Sequence, residues 1–305
     1  MINGFFIIDK PPGITSHDVV NRARRILGTR KIGHTGTLDP FATGVLPIAV
    51  NEGTKAIPFL DEGIKQYDAL LRLGIVTDTY DLTGRVLFQK DYQYIDEELL
   101  KAILVRFTGM INQTPPMFSA IKKNGRPLYE LARQGIEIER QPRCVEMRFL
   151  EIARFDPPFL RLLVTCSRGA YIRSLANDIG AALGCGSALQ ELRRIASGPF
   201  KLLNAITLDM LEERCSTGAL DDICHDLNDV LSHLPVLPLT EIGYRKVIHG
   251  RSPAREDMEL DGLSIVASPQ SFVRLSSNGN LVAIAQVEAT LNGNNRLVLK
   301  RVFSK

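Results

Sequence analysis

Gly33-His-Thr-Gly-Thr-Leu-Asp-Pro-Phe-Ala-Thr-Gly44 is the stretch on which the reading of this chain turns. It is too rich in Gly, Thr and Pro for a regular element and reads as a long loop. It offers His34, several threonines and Asp39, framed by glycines that let backbone come close to a ligand. From the residues alone two readings stand. The loop carries chemistry, or it is a turn in which Asp-Pro opens a bend and Asp39 caps a helix. A nucleotide-phosphate loop fits poorly, because neither GxGxxG nor GxxxxGK(S/T) occurs in the required context.

Working outward, Gly4 to Asp9 reads as a buried strand, Pro11-Pro12-Gly13 as a turn, and Thr15 or Ser16 as the cap of an amphipathic helix through about Leu27. Val45 to Val50 and Ala69 to Leu73 are strand-like, and Glu97 to Phe107 has helical spacing. Residues 113–143 turn polar and basic, with Lys122, Lys123 and Arg126 and a short helix-like Leu128 to Arg133, and read as an insertion projecting from a sheet. Strands resume at Val145 to Ile152 and Phe159 to Ser167, followed by a helix from Ile172 to about Leu183 ending at Gly184. After Pro235 come short strand-like runs, Leu263 to Ala267, Phe272 to Leu275, Leu281 to Val287 and Leu297 to Phe303. Asn-rich turn signals before Leu281 and before Arg296 separate them. A small all-β barrel over 238–305 is the expectation.

At 305 residues, with 45% hydrophobic and 23% charged residues, the chain is expected to fold throughout, as a large domain (1–237) plus a small one (238–305). The N-terminal apolar run stops at Asp9 and reads as neither signal peptide nor membrane span. Five cysteines without a CxxC pair point to reduced thiols in a cytoplasm rather than to disulfides or zinc. A net charge of +3 is uninformative, but its distribution is not. Arg22, Arg24, Arg25, Arg30 and Lys31 form a basic cluster, whereas Thr207 to Leu231 carries seven acids against Arg214 alone. This predicts one face ready for phosphates and a separate face that repels them.

The loop GHTGTLDPFATG resembles the signature of the TruB family of pseudouridine synthases, and Ile8-Asp-Lys-Pro-Pro-Gly-Ile-Thr-Ser16 resembles the segment preceding it there. Further similar segments follow in order: Lys65 to Asp68, Thr77 to Gly84, Gln113 to Ile121, Cys166 to Arg173, and Gln190 to Arg194. The resemblance spans residues 4 to 200. It implies an α+β fold, the pseudouridine synthase fold with a mixed, largely antiparallel sheet, followed by a C-terminal PUA-like β-barrel that binds RNA. The implied reaction detaches uracil from uridine 55 in the T-loop of tRNA, turns it and rejoins it through carbon, with no cofactor and no metal.

The same resemblance assigns roles. Asp39 becomes the essential carboxylate, nucleophile or base, and Arg173 its partner, expected to depress its pKa. Tyr67 stacks on the target base, Tyr171 and Leu192 complete the pocket, and His34 takes the place of the flipped base. Lys10 supports the loop. Arg22, Arg25, Lys31, Lys122, Lys123, Arg126 and Arg193-Arg194 are expected on phosphates. Gln66 and Thr37 depart from the family pattern without touching this chemistry. The implied partner is tRNA, without guide RNA or membrane, and the protein is expected to act as a monomer.

Overall fold

The computed structural model describes residues 2–123, 125–259, 270–289 and 295–303. β1 (Gly4–Lys10) is the apolar N-terminal run, and α1 (Ser16–Ile26) follows it. The Thr15 hydroxyl accepts from the Asp18 amide and the Asp18 carboxylate from the Thr15 amide, satisfying two donors at the helix start. β2 (Ile32–His34) and β3 (Thr43–Val50) bracket the Gly/Thr/Pro loop, so its irregular part is only 35–42. α2 (Gly53–Ala56) is a single turn, and β4 (Ile64–Leu73) starts at Ile64 rather than Ala69, since its first half alternates instead of running apolar.

A hairpin of β5 (Ile75–Thr77) and β6 (Val86–Gln89), then α3 (Glu97–Val105) and β7 (Gly109–Gln113), lead into the insertion. There β8 (Lys122–Lys123) pairs with β9 (Arg126–Pro127), and α4 (Leu128–Arg133) follows. The chain returns through β10 (Arg143–Asp156), β11 (Phe159–Ser167), α5 (Ile172–Leu183), β12 (Ser187–Ser197) and β13 (Phe200–Lys201). α6 (Leu208–Ser216) and the single turn α7 (Leu227–Val230) connect to β14 (Val236–Pro238), α8 (Glu241–Ile248), β15 (Phe272–Ser277), β16 (Asn280–Ala289) and β17 (Asn295–Val302). The expected strand Leu263 to Ala267 and most of the turn before Arg296 lie outside the described residues.

The main sheet runs β1-β3-β12-β4-β11-β10-β7, with β2 paired to β3 and β13 to β12. Every pairing is antiparallel except β12 with β3, which fits the mixed, largely antiparallel sheet that was expected. One face carries Tyr67, Ala69, Leu71, Leu162, Val164 and Leu192, and buries them with Val19 and Val20 of α1 and Leu175 and Ile179 of α5. At about 25 cal/mol per Å² of apolar surface removed from water, this core is what holds the sheet and its helices together.

The expected C-terminal barrel does not form among the described residues. Among the described residues the second sheet is open, ordered β14-β15-β16-β17, and its first and last strands do not pair as closure requires. The physical reason is that both faces of the sheet are covered without curling. Ile284 of β16 and Phe303 enter a core shared with Phe5, Ile7 and Phe200 of the main domain, and Phe59 meets Phe272 edge-on at 5.0 Å. Ala283, Ala285 and Val287 instead join Val247 of α8 and Leu237 in a smaller core.

The charge pattern also needs correction. The acidic helix α6 packs beside α1, and Arg22 donates to Asp209 and to Glu212, the latter at 3.5 Å. Acids expected on a separate face thus neutralise part of the basic cluster. No described helix is long and apolar enough to cross a membrane.

Candidate active site

The Asp39 loop is fastened from below by two buried cations. Lys10, fully buried at the end of β1, donates through Nζ to the carbonyls of Pro11 (2.9 Å), Pro40 (3.0 Å) and Ala42 (2.7 Å). Arg194 of β12, equally buried, donates to the carbonyls of Val45 (2.7 Å), Gly36 (3.1 Å) and Thr37 (3.5 Å). Ser16 adds a reciprocal pair, its hydroxyl donating to the Leu38 carbonyl and accepting from the Leu38 amide. Irregular backbone has no ladder to satisfy its carbonyls, and here the two side chains do it. Gly44 is required where the loop rejoins the sheet: its φ is +98°, and a Cβ there would lie 2.2 Å from the Arg194 carbonyl oxygen. Burial holds the Lys10 ammonium down to about 8, with Asp39 pulling the other way.

Asp39 rises from this platform to a two-point grip. Arg173, in the first turn of α5 and only 4% exposed, donates from Nε to Oδ2 and from Nη2 to Oδ1 of Asp39, each at 2.8 Å. Nη2 also donates to the Phe118 carbonyl (2.8 Å) and Nη1 to that of Thr79 (3.1 Å). The planar fork thereby fixes the carboxylate in orientation as well as position. The Asp39 side chain keeps 30% of its surface accessible, so the pair is open to a substrate from one side. The expectation for its acidity is reversed: burial raises the Asp39 carboxyl above the usual aspartate range, and the Arg173 guanidinium opposes this without overcoming it.

Sequence reasoning missed Asp81, although it lies in the segment Thr77 to Gly84. It is buried, with Oδ2 3.7 Å from Arg173 Nε, so one guanidinium stands between two carboxylates. Its Oδ1 accepts from the Thr79 hydroxyl (2.9 Å), the Thr83 amide (3.0 Å) and the Thr83 hydroxyl (2.5 Å). An aspartate amid three threonines was the available signal, since such hydroxyls and amides are what satisfy a buried carboxylate. Gln113 was likewise missed: its amide donates to the Tyr171 carbonyl (3.0 Å) and accepts from the Tyr171 amide (2.7 Å), tying the root of the insertion to the start of α5.

Tyr67 on β4 and Leu192 on β12 are buried on the same sheet face, and Tyr171 sits half-buried at the N-cap of α5. Burial pushes the Tyr67 phenol up to about 12 and also raises Tyr171, so both stay neutral rings. His34, at the end of β2, is half-buried with Nδ1 unpartnered among the described residues. Burial, then Arg194, His17 and Lys65, lower its pKa, so it stands uncharged at neutral pH.

The predicted phosphate contacts divide. Arg25, Lys31, Lys122, Lys123 and Arg126 are exposed, whereas Arg22 is engaged with α6. Arg194 is a support of the loop, not a surface contact. Arg193, one residue earlier and therefore on the opposite face of β12, pairs with Asp9 at 2.6 Å. The structure does not bring it to Asp39.

Comparison with known proteins assigns this sheet, with its arginine-held aspartate, to the pseudouridine synthases. Residues 24–172 match the N-terminal domain model of the TruB family pseudouridylate synthases, and residues 173–233 match the tRNA pseudouridylate synthase B C-terminal domain. The chain belongs to the TruB family. It is 49% identical to tRNA pseudouridine synthase B of Geobacter sulfurreducens, over 99% of this chain and 100% of that one. To the protein of the same name from Dehalococcoides mccartyi it is 40% identical, over 94% and 93%. Among solved structures, a chain of a Cbf5-Nop10-Gar1 complex superimposes with a TM-score of 0.75 at 28% identity, over 99% of this chain and 85% of that one. The archaeal box H/ACA sRNP Nop10-Cbf5 complex gives 0.73 at 26%, over 99% and 86%.

Proposed function

We propose that this chain, a TruB-family tRNA pseudouridine synthase, isomerises uridine 55 in the T-loop by flipping it onto Tyr67 beside Asp39. The two-point Arg173–Asp39 bond carries the reading, because it presents a fixed carboxylate at the accessible end of a buried network. Asp39 acts on the nucleoside, as nucleophile or as base, and Arg173 holds its oxygens in place through the rearrangement. Tyr67, Tyr171 and Leu192 form the walls against which the detached uracil turns. A paired or stacked base is out of reach inside folded RNA, and flipping it costs a few kcal/mol. Neutral His34 fills the vacated place at little desolvation cost.

The protein works without guide RNA, as a monomer in the cytoplasm. Relatives that match over nearly their whole length and are named tRNA pseudouridine synthase B support action on tRNA without a guide, as does the basic, exposed end of the insertion, suited to gripping tRNA directly. The test is tritium release from carbon-5-labelled uridine in an unmodified tRNA transcript without guide RNA. Wild type is expected to release label. Asp39→Asn is expected to lose at least about 1000-fold in turnover while tRNA affinity changes less than about tenfold. Turnover retained in Asp39→Asn would remove Asp39 from the mechanism.

A further inference from the structure

Beside the catalytic loop stands a cation that the chemistry above leaves unused. Lys65 precedes Tyr67 by two positions on β4, so strand alternation puts both on one face of the sheet, about 7 Å apart along the strand. Its side chain ends against the loop: a Cβ added to Gly36 would come within 2.6 Å of Lys65 Nζ. Glycine at position 36 leaves that space to the ammonium.

Among the described residues the ammonium makes no hydrogen bond and no ion pair. Glu62, the acid that pulls on it, is bonded instead to the hydroxyls of Thr35 and Ser197. Arg194 and Arg168 repel it, and the remaining neighbour, Cys166, is a buried thiol whose pKa is pushed up to about 12, so it supplies no counter-charge at neutral pH. Arg194 and Lys10 are satisfied by carbonyls, which carry no counter-charge, and Asp39 is committed to Arg173. The base of the loop therefore holds more positive charge than its own carboxylates neutralise. Burial and Arg194 together keep the Lys65 ammonium below the usual lysine range. Half-buried cations without a partner are costly until an anion arrives.

We propose that Lys65 binds a phosphate oxygen of the RNA backbone next to the nucleotide stacked on Tyr67, clamping that nucleotide against the Gly36 end of the loop. This rests on RNA being the substrate, as proposed above. It differs from the contacts expected of the insertion in being a single, partly desolvated charge beside the reacting nucleotide.

A T-arm minihelix carrying one neutral methylphosphonate at each position around the target uridine tests it, in binding titrations at several salt concentrations. Lys65→Met is expected to weaken binding about tenfold and to lower the slope of log affinity against log salt by about 0.7 to 0.9, while Lys65→Arg restores the slope. One methylphosphonate is expected to weaken wild type by a similar factor and Lys65→Met no further. An unchanged slope in folded Lys65→Met, or equal losses in both proteins at every position, overturns the proposal. Should Lys65→Met fail to fold, the wild-type scan alone decides: a flat profile across the flanking phosphates is equally fatal. Tritium release by wild type reports separately on the enzymatic reading, so label released together with a flat scan sinks the role of Lys65 alone.

Discussion

The Asp39 loop and the insertion at 113–143 are both irregular, polar stretches, yet they are built in opposite ways. The loop is stitched into the domain by Lys10, Arg194 and Ser16, each making at least two bonds to its backbone. Among the described residues the insertion is held to the domain at its root, where Gln113 meets Tyr171, Ser174 donates to the Thr114 carbonyl, Arg173 to Phe118, and Arg140 to Pro115. Its outer end is braced by bonds among its own residues: the Leu128 and Tyr129 amides donate to the Ile121 and Ser119 carbonyls, Lys123 to the Glu139 carbonyl and Arg126 to Gln134, the last two at 3.3 Å. Chemistry requires a group fixed before the substrate arrives, whereas gripping a large polyanion requires exposed charge that can adjust to it. Buried positive charge therefore goes to the first region and exposed positive charge to the second.

The largest way to break this contrast is to remove a buried cation. Arg194→Met leaves the Gly36, Thr37 and Val45 carbonyls without their donor and is expected to cost about 3 kcal/mol, read as a lower midpoint in urea unfolding. Salt dependence of tRNA binding should stay as in wild type, since Arg194 is fully buried and bonded to backbone carbonyls. A drop in the salt slope without destabilisation would place it on the RNA after all.

A second test sharpens the electrostatic half of the comparison. Burial raises the folded pKa of Asp39, so on acidification its carboxylate is lost at a higher pH than in an ordinary aspartate. Single-turnover rates should rise about tenfold per pH unit on the acid side and level off above the usual aspartate range. A plateau already reached at ordinary aspartate values would show that Arg173 outweighs burial.

The smallest effects belong to the exposed charges. Replacing Lys122, Lys123 and Arg126 together by alanine should lower the salt slope by about two to three units and leave turnover of bound tRNA unchanged. Arg22→Gln, already neutralised by Asp209 and Glu212, should change affinity by less than about twofold. A larger loss at Arg22 than at the triple site would invert the assignment of the gripping surface.

Much of this was legible in the residues, and what was not has local causes. β1 is a run of apolar residues, α1 carries its cap at Thr15, and α5 ends at Gly184, so each declares itself by pattern. β12 does not: Ser-Ala-Leu-Gln-Glu-Leu-Arg-Arg-Ile-Ala-Ser lacks clean alternation, because its register against β4 shifts between Leu189 and Glu191 and again between Arg194 and Ala196. Without that strand, Arg193 and Arg194 looked equivalent, although the pleat sends one to Asp9 and the other under the Asp39 loop. The joining of Asp39 and Arg173 came from the family resemblance, since nothing local relates residues so far apart in the chain. Closure of the C-terminal sheet was misjudged for a similar reason: strand count and turns are local, whereas the surface that covers Ile284 and Phe303 comes from the far end of the chain.

That shared core also decides what the C-terminal sheet can be in an experiment. Phe5 and Phe200 at one end and Ile284 and Phe303 at the other are a single apolar joint, so the sheet is a buttress rather than an interchangeable module. Cutting the chain at residue 237 would bare the flank of β1 and β3 to water as well as remove the appendage. A truncated protein that fails to hold tRNA would then be reporting damage to the scaffold, and a graft of this sheet onto another enzyme would have to bring its own seat.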